Sequence, residues 1–423
     1  MSLALGIDIG TSGVRSAVID PDGRIIAMAR ASHLAQDPAN IDATLWWTAV
    51  ETCLTRQIEA LREAGQNPAD IAGLAVDGTS GSMVLTDANL RPVTRALMYN
   101  SKGFDTEAAR IAKVAPKTHI TQGSNSALAR AMHLTSETRG PAHHLLHQAD
   151  YITAKLLGYG GYSDHNNALK TGFDPETEQW PDWTSAVFDP HLLPKVMPVG
   201  ANLGTMCGAV SQKFGFDNSV RVHAGTTDSI AAFLACAPME RGTAVTSLGS
   251  TLAIKILSET RIDDPRIGLY SHRLGNMWLV GGASNTGGAV LAHFFSPDEI
   301  AHLSAEIDPH TPSGLDYYPL LEPGERFPVN DPALAPRLSP RPESDAQFLH
   351  GIFEGIAQIE ALSYREIEAR GGPKPHQLFG AGGGSTNKTF AAIRHRALGL
   401  EPKSSEHSEA AIGATKLVLW VEG

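Results

Sequence analysis

The chain has 423 residues, 42% hydrophobic and 19% charged, with a formal net charge of −11. Such a length predicts two domains of roughly 100–200 residues each, and the low charge excludes a disordered chain. The acidic balance disfavours a protein that binds duplex nucleic acid or an anionic membrane surface. Cys53, Cys207 and Cys236 are isolated, so they form neither a disulfide framework nor a zinc-ligand set.

At the start, Leu3, Leu5, Ile7 and Ile9 alternate with Ala4, Gly6, Asp8 and Gly10, the period of a strand. Asp8 is then expected on the face opposite the aliphatic set, where a carboxylate is costly unless paired, hydrated or metal-bound. Gly10-Thr11-Ser12-Gly13 follows and leads into a second strand. The turn offers backbone N–H groups, two hydroxyls and no bulk, which suits a phosphate. Many Gly-rich hairpin turns are nothing more than turns, so a partner motif has to decide. No basic segment followed by an apolar core precedes the strand, and no apolar run reaches a membrane span. With the unpaired cysteines these features predict a cytoplasmic protein.

Next comes an apolar helical stripe from Leu45 to Leu61, with Asp42 as N-cap and Gly65 as stop. A strand over residues 71–76 runs into Asp77-Gly78-Thr79-Ser80, which places Asp77 at a strand end as ligand or helix cap. Residues 83–86 read as a strand, 105–114 and 150–157 as helices, and 174–198 as loops. His143, His144 and His147 read as a helix-surface or core feature, because no acids or cysteines accompany them at zinc spacing. A strand over 220–224 leads through Thr226 and Thr227 to Asp228, with a helix from Ser229. Asp228 therefore stands where open α/β sheets place ligands, although it also suits a helix cap. The domain boundary is expected near residues 239–242.

The second half restarts the pattern. Residues 244–256 repeat strand, turn and strand around Gly249-Ser250-Thr251, with no acid at the position of Asp8. Residues 305–342 read as Pro-rich loop and 345–369 as a long amphipathic helix. A strand over 377–379 meets the glycines of 380–384, with a helix opening at Ser385 or Thr386. Glycines at such a helix start let a phosphate or a flat base approach; the spacing is neither a P-loop nor G-x-G-x-x-G. The last helix starts near residues 405–408. Two hairpins, each heading α/β elements, suggest two related domains with ligands bound between them.

Residues 8–20, 77–87, 225–232, 246–254 and 380–399, taken in order, resemble the FGGY carbohydrate kinases, as do 151–174 and 281–288. The resemblance implies an α/β, two-domain actin-like ATPase (ribonuclease H-like) fold with a cleft between domains. Residues 1–240 would be the sugar-binding domain and 241–423 the nucleotide-binding domain. It implies transfer of the ATP γ-phosphate to a sugar hydroxyl with Mg2+. By position, Asp8 matches the family's metal- and phosphate-site acid, Thr11 and Ser12 the turn meeting the transferred group, and Asp228 the general base. Gly249, Ser250 and Thr251 match the second phosphate turn; Gly382, Gly383, Gly384 and Asn387 match the adenosine segment. Asp77, Gly78, Thr79 and Ser80 are implied sugar contacts, and they look closer to ribulokinase-like members than to the Gln-Met-His of xylulokinases. Leu97 to Lys102 departs from the Trp-x-Asp-x-Arg stretch of many members. The implied substrate is a ketopentose, D-ribulose ahead of D-xylulose, handled by a monomer or homodimer. The alternatives are another sugar or polyol, an actin-like ATPase acting on proteins, and a sugar-binding regulator on the same scaffold.

Overall fold

Strand β1 (Leu3–Ile9) is buried along its whole length. Its aliphatic residues share a core with Trp46, Val50, Leu54 and Ile58 of the helix Thr44–Glu63. The opposite face, with Gly6, lies under the helix Ala410–Glu422: a Cβ on Gly6 would stand 2.0 Å from the Ala411 carbonyl oxygen. Glycine is the residue that permits this approach.

The computed structural model describes all residues except Met1, Leu34, Gln36, Pro38, Glu406 and Gly423. They fall into two compact units, Met1–Ala235 with Glu409–Gly423, and Cys236–Ser408.

The first unit continues with β2 (Gly13–Ile19), β3 (Ile25–Ser32), β4 (Ile71–Gly78), β5 (Met83–Thr86), β6 (His144–His147), β7 (Tyr162–Asp164), β8 (Lys195–Met197), β9 (Asn202–Thr205) and β10 (Arg221–Thr227). Its main sheet has the order β3-β2-β1-β4-β10-β9. In it β1, β4 and β10 run parallel, so three adjacent strands end at the same edge. The second unit has β11 (Thr243–Leu248), β12 (Leu252–Ser258), β13 (Tyr270–Leu274), β14 (Met277–Ser284), β15 (Gln377–Ala381) and β16 (Pro402–Ser404), in the order β13-β14-β12-β11-β15-β16. The helix Asp345–Ala369 buries Phe348, Ile352, Ile356 and Ile359 in the same core as Ile254, Ile256 and Leu378 of that sheet.

Two sequence expectations need correction. The His run is not helical: His144–His147 is β6, paired antiparallel with β5. His147 is fully buried there, with Nδ1 2.9 Å from Asp150 and Nε2 2.8 Å from Thr171. The helix expected at Ser385 or Thr386 begins at Lys388, after a short 3-10 turn, because the Asn387 carboxamide oxygen caps it through the Phe390 N–H at 2.9 Å. The chain past residue 408 packs within the first compact unit. The helix Ala410–Glu422 is apolar and meets small residues: Gly6, and Gly73, whose Cβ would stand 2.8 Å from Val418. Lys416 ties the same helix to the Leu234 and Ala235 carbonyls at 3.0 and 2.9 Å. No helix among the described residues is long and apolar enough to cross a membrane.

Candidate active site

The parallel register sets the site in the first unit. Asp8 pairs with Asp77 and Ile9 with Gly78 across β1 and β4; Thr226 pairs with Asp77 and Thr227 with Gly78 across β10 and β4. Asp228 follows as the first residue of the helix Asp228–Cys236, and its carboxylate accepts the Ser229 N–H at 2.6 Å. Three acids thus stand at the ends of three neighbouring strands, where α/β sheets bind ligands.

Asp8 is 4% exposed and Asp77 is fully buried. Burial pushes the Asp8 carboxyl up from its ordinary value, while contacts from Asp77 and Arg15 pull it partly back. Arg15 Nη1 donates to Asp8 Oδ2 at 3.2 Å, so the half-exposed Arg15 is an ion-pair partner of Asp8. Asp77 is held well above the carboxylate range, first by burial and then by the negative charges of Asp8 and Asp228. No neighbouring donor reaches either Asp77 oxygen. Facing another carboxyl, it approaches Asp8 favourably only with a proton between them.

The turn after β1 is closed by the Gly10 N–H on the Gly13 carbonyl at 2.9 Å. Thr11 and Ser12 are exposed at its tip. After β4, the Thr79 N–H and hydroxyl both reach Gln148 Oε1, at 3.0 and 2.5 Å, and Thr79 Oγ1 lies 2.6 Å from Ser82 Oγ. Asn166 Nδ2 donates to Thr226 Oγ1 at 3.0 Å. Several buried polar atoms here have no partner among the described residues: Ser80 Oγ, Gln148 Nε2, Asn166 Oδ1 and Thr227 Oγ1. Native interiors leave few such groups. A cluster of them at one sheet edge suits a ligand rich in hydroxyls.

The expected residues Asp8, Asp77, Gly78, Thr79, Ser80 and Asp228 therefore belong to one strand-end region, with Thr11 and Ser12 in the turn leaving β1. Gln148, Asn166 and Thr227 were missed. Asn166 lies in a segment whose resemblance was noted; Gln148 stands beside the His run and carried no signal of its own.

In the second unit, Gly249-Ser250-Thr251 is the turn between β11 and β12. The Gly288 and Ala289 N–H groups, at the start of the helix Gly288–Phe294, donate to the Gly249 and Ser250 carbonyls at 2.8 and 3.0 Å. Gly382 has φ +82°, and a Cβ on it would stand 2.5 Å from the Leu248 carbonyl oxygen; one on Gly384 would stand 2.1 Å from Leu248 Cδ2. The two Gly-rich segments thus meet backbone to backbone, with open space over Gly249 and Gly383. The Asn387 side chain is engaged at both ends, since besides capping it donates to Ser304 Oγ at 2.8 Å. Beneath, Arg394 donates twice to the buried Glu360 carboxylate at 2.7 Å, and Thr246 Oγ1 of β11 donates to it at 2.6 Å.

Among the described residues no group of three or more His, Cys, Asp or Glu side chains is placed to hold a metal by itself. One or two carboxylates with substrate phosphates are the usual setting for Mg2+, and the buried Asp8 carboxylate, paired only with the half-exposed Arg15, fits that role.

Residues 3–235 match the model of the FGGY family of carbohydrate kinases, N-terminal domain, and residues 244–420 that of its C-terminal domain. A xylulose kinase of Streptomyces rubiginosus is 28% identical over 62% of this chain and 56% of its own length, so the chain spans about half of that relative. A xylulose kinase of Bacillus subtilis is 22% identical over 100% of the chain and 89% of its own length. The crystal structure of xylulose kinase from Rhodospirillum rubrum superposes with a TM-score of 0.86 at 19% identity, covering 100% of this chain and 90% of that one. With both domain models matched in order, on a fold shared with those kinases, the chain belongs to the FGGY family of carbohydrate kinases.

Proposed function

We propose that the protein transfers the γ-phosphoryl group of ATP to a hydroxyl of a ketopentose. The observation that carries this reading is the set of three carboxyls at the ends of β1, β4 and β10, bordered by polar atoms without partners. A hydrolase of nucleotide alone has no need for that polar lining. The relatives named xylulose kinase favour a pentulose. Asp77-Gly78-Thr79-Ser80 lacks a Gln-Met-His, and on that ground D-ribulose stands ahead of D-xylulose.

Asp228 would accept the proton of the attacking hydroxyl and orient its oxygen; a carboxylate does this late in the transfer, as phosphoryl migration makes the proton acidic. Thr11 and Ser12, at the turn after β1, would meet the transferred group through N–H and O–H donors. Gly249, Ser250 and Thr251 would hold the other phosphates, and Gly382, Gly383 and Gly384 would let the adenosine lie against backbone. Asp8, with Asp77 beside it, would hold Mg2+. That ion supplies neutralisation of phosphate charge and in-line orientation.

The test is ADP release with MgATP against a panel of pentuloses, pentoses and polyols. Stimulation by a pentulose is expected. Nucleotide turnover that no sugar changes would overturn the kinase reading in favour of an ATPase.

A further inference from the structure

Arg130 is a buried cation that the phosphoryl-transfer chemistry leaves unused. It is 3% exposed. Its Nε donates to the Gly81 carbonyl at 3.0 Å, and Nη1 donates to Tyr99 and Asn125 carbonyls at 3.0 and 2.8 Å. A longer contact of 3.5 Å runs from Nη1 to the Ser101 carbonyl. All four partners are neutral carbonyls; no carboxylate pairs with the guanidinium, and burial pulls its pKa down to about 10. Among the described residues none accepts a hydrogen bond from Nη2. It points toward Gly81, where a Cβ would lie only 2.7 Å away, and Gly81 has φ +84°.

Arg130 also lines a cavity of about 230 Å³ with Ser80, Gly81, Asn125, Ser126 and Lys170, among others. Ser80 Oγ is buried without a partner. Ser126 caps the helix Ala127–Ser136, so the positive end of that helix also faces the cavity. Arg130 and Lys170, the Ser80 hydroxyl and a helix N-terminus line it together, with no acid in the lining. A buried guanidinium without a counter-charge is costly, and an incoming anion would remove that cost.

We infer that Arg130, Lys170 and Ser80 form a subsite for an anionic oxygen group on the substrate, so that the preferred sugar is a pentose derivative bearing a carboxylate or a phosphate. The subsite opens from the segment directly after Asp77, and Ser80 belongs to both regions. The inference rests on the kinase reading of the same site and shifts its preferred substrate from a neutral ketopentose to an anionic five-carbon derivative. Carboxylate and phosphate share the required chemistry, acceptor oxygens carrying charge.

Three substrates separate the cases: a neutral pentulose, its terminal phosphate ester, and the five-carbon aldonate. Each is assayed with the full chain and MgATP by ADP formation. One of the anionic compounds should exceed the neutral pentulose in kcat/KM by about tenfold or more, the scale of one charge-assisted contact. Lys170→Met and Arg130→Met should each reduce that ratio by about tenfold. Should Arg130→Met fail to fold, Lys170→Met keeps the ratio measurable. Inorganic phosphate should also raise the melting temperature of the wild type, and less so that of Lys170→Met. Preference for the neutral pentulose, with a ratio unmoved in Lys170→Met, overturns the subsite and leaves the kinase standing. Turnover stimulated by none of the three, nor by any other sugar, overturns both.

Discussion

Asp8 and Asp77 occupy paired positions on adjacent parallel strands, and both side chains are buried. Two carboxyls so placed cannot both ionise cheaply. Arg15, half-exposed, offsets only part of the charge. The sheet edge is therefore destabilised where the phosphoryl chemistry is proposed to occur.

This relationship fixes a pH dependence. Both acids are held above the ordinary value of 3.8. An acid raised on folding binds its proton more tightly in the native state, so stability falls as pH rises from the unfolded value through the folded one. Asp77→Asn should flatten that fall and melt higher than the wild type at neutral pH, with the gap closing in acid. Calorimetry across that window checks it; parallel curves for the two proteins would show that Asp77 is not the origin of the slope.

Asp228→Asn should retain the fold, since the carboxamide oxygen is of the same size and can still accept the Ser229 N–H. Loss of the proton acceptor should lower kcat by about 10²–10⁴-fold with KM for the sugar little changed. Steady-state kinetics with the best sugar decides the matter. Near-normal turnover would remove Asp228 from the role of base.

Gly382→Ala combines a left-handed φ of +82° with a Cβ 2.5 Å from the Leu248 carbonyl. Strain of about 1–3 kcal/mol is expected, relieved by parting the two Gly-rich segments of the second unit. Nucleotide affinity should weaken while the KM for sugar holds. Titration calorimetry with ATP would reveal it, and unaltered nucleotide binding would remove residues 382–384 from the nucleotide site.

Arg394→Met leaves Glu360 buried and unpaired beneath β11. The expected loss is about 3–5 kcal/mol. Adding Glu360→Gln should recover much of it, because the stranded charge is then gone. Urea denaturation of the single and double variants measures the difference; equal stability of the two would assign the loss to packing.

Strand ends, the long helix Asp345–Ala369 and the two hairpin turns were legible because each depends on local patterns: period-two alternation, a 3.6-residue stripe, glycine runs. The placement of Asp8, Asp77 and Asp228 side by side was only partly legible, since each was seen at its own strand end while register comes from pairing between distant segments. Gln148 illustrates what was hidden. Nothing in its neighbours announces that its carboxamide receives Thr79 from 69 positions away. The destination of the last helix was hidden for a similar reason: its apolar face could cover either sheet, and small residues such as Gly6 and Gly73 decide which. Arg130 was illegible because an arginine on a helix is ordinarily read as solvated, and its burial follows from carbonyls on three separate loops.

The helix Ala410–Glu422 also imposes an order on biosynthesis. Strand β1 leaves the ribosome before any other strand described, yet the face bearing Gly6 has no cover until residues 410–422 emerge. All of residues 236–408 are translated in the interval, so the second unit can complete its own core while the first still exposes an apolar sheet face. Nascent chains halted between the two events would carry a finished second unit while one sheet face of the first was still uncovered.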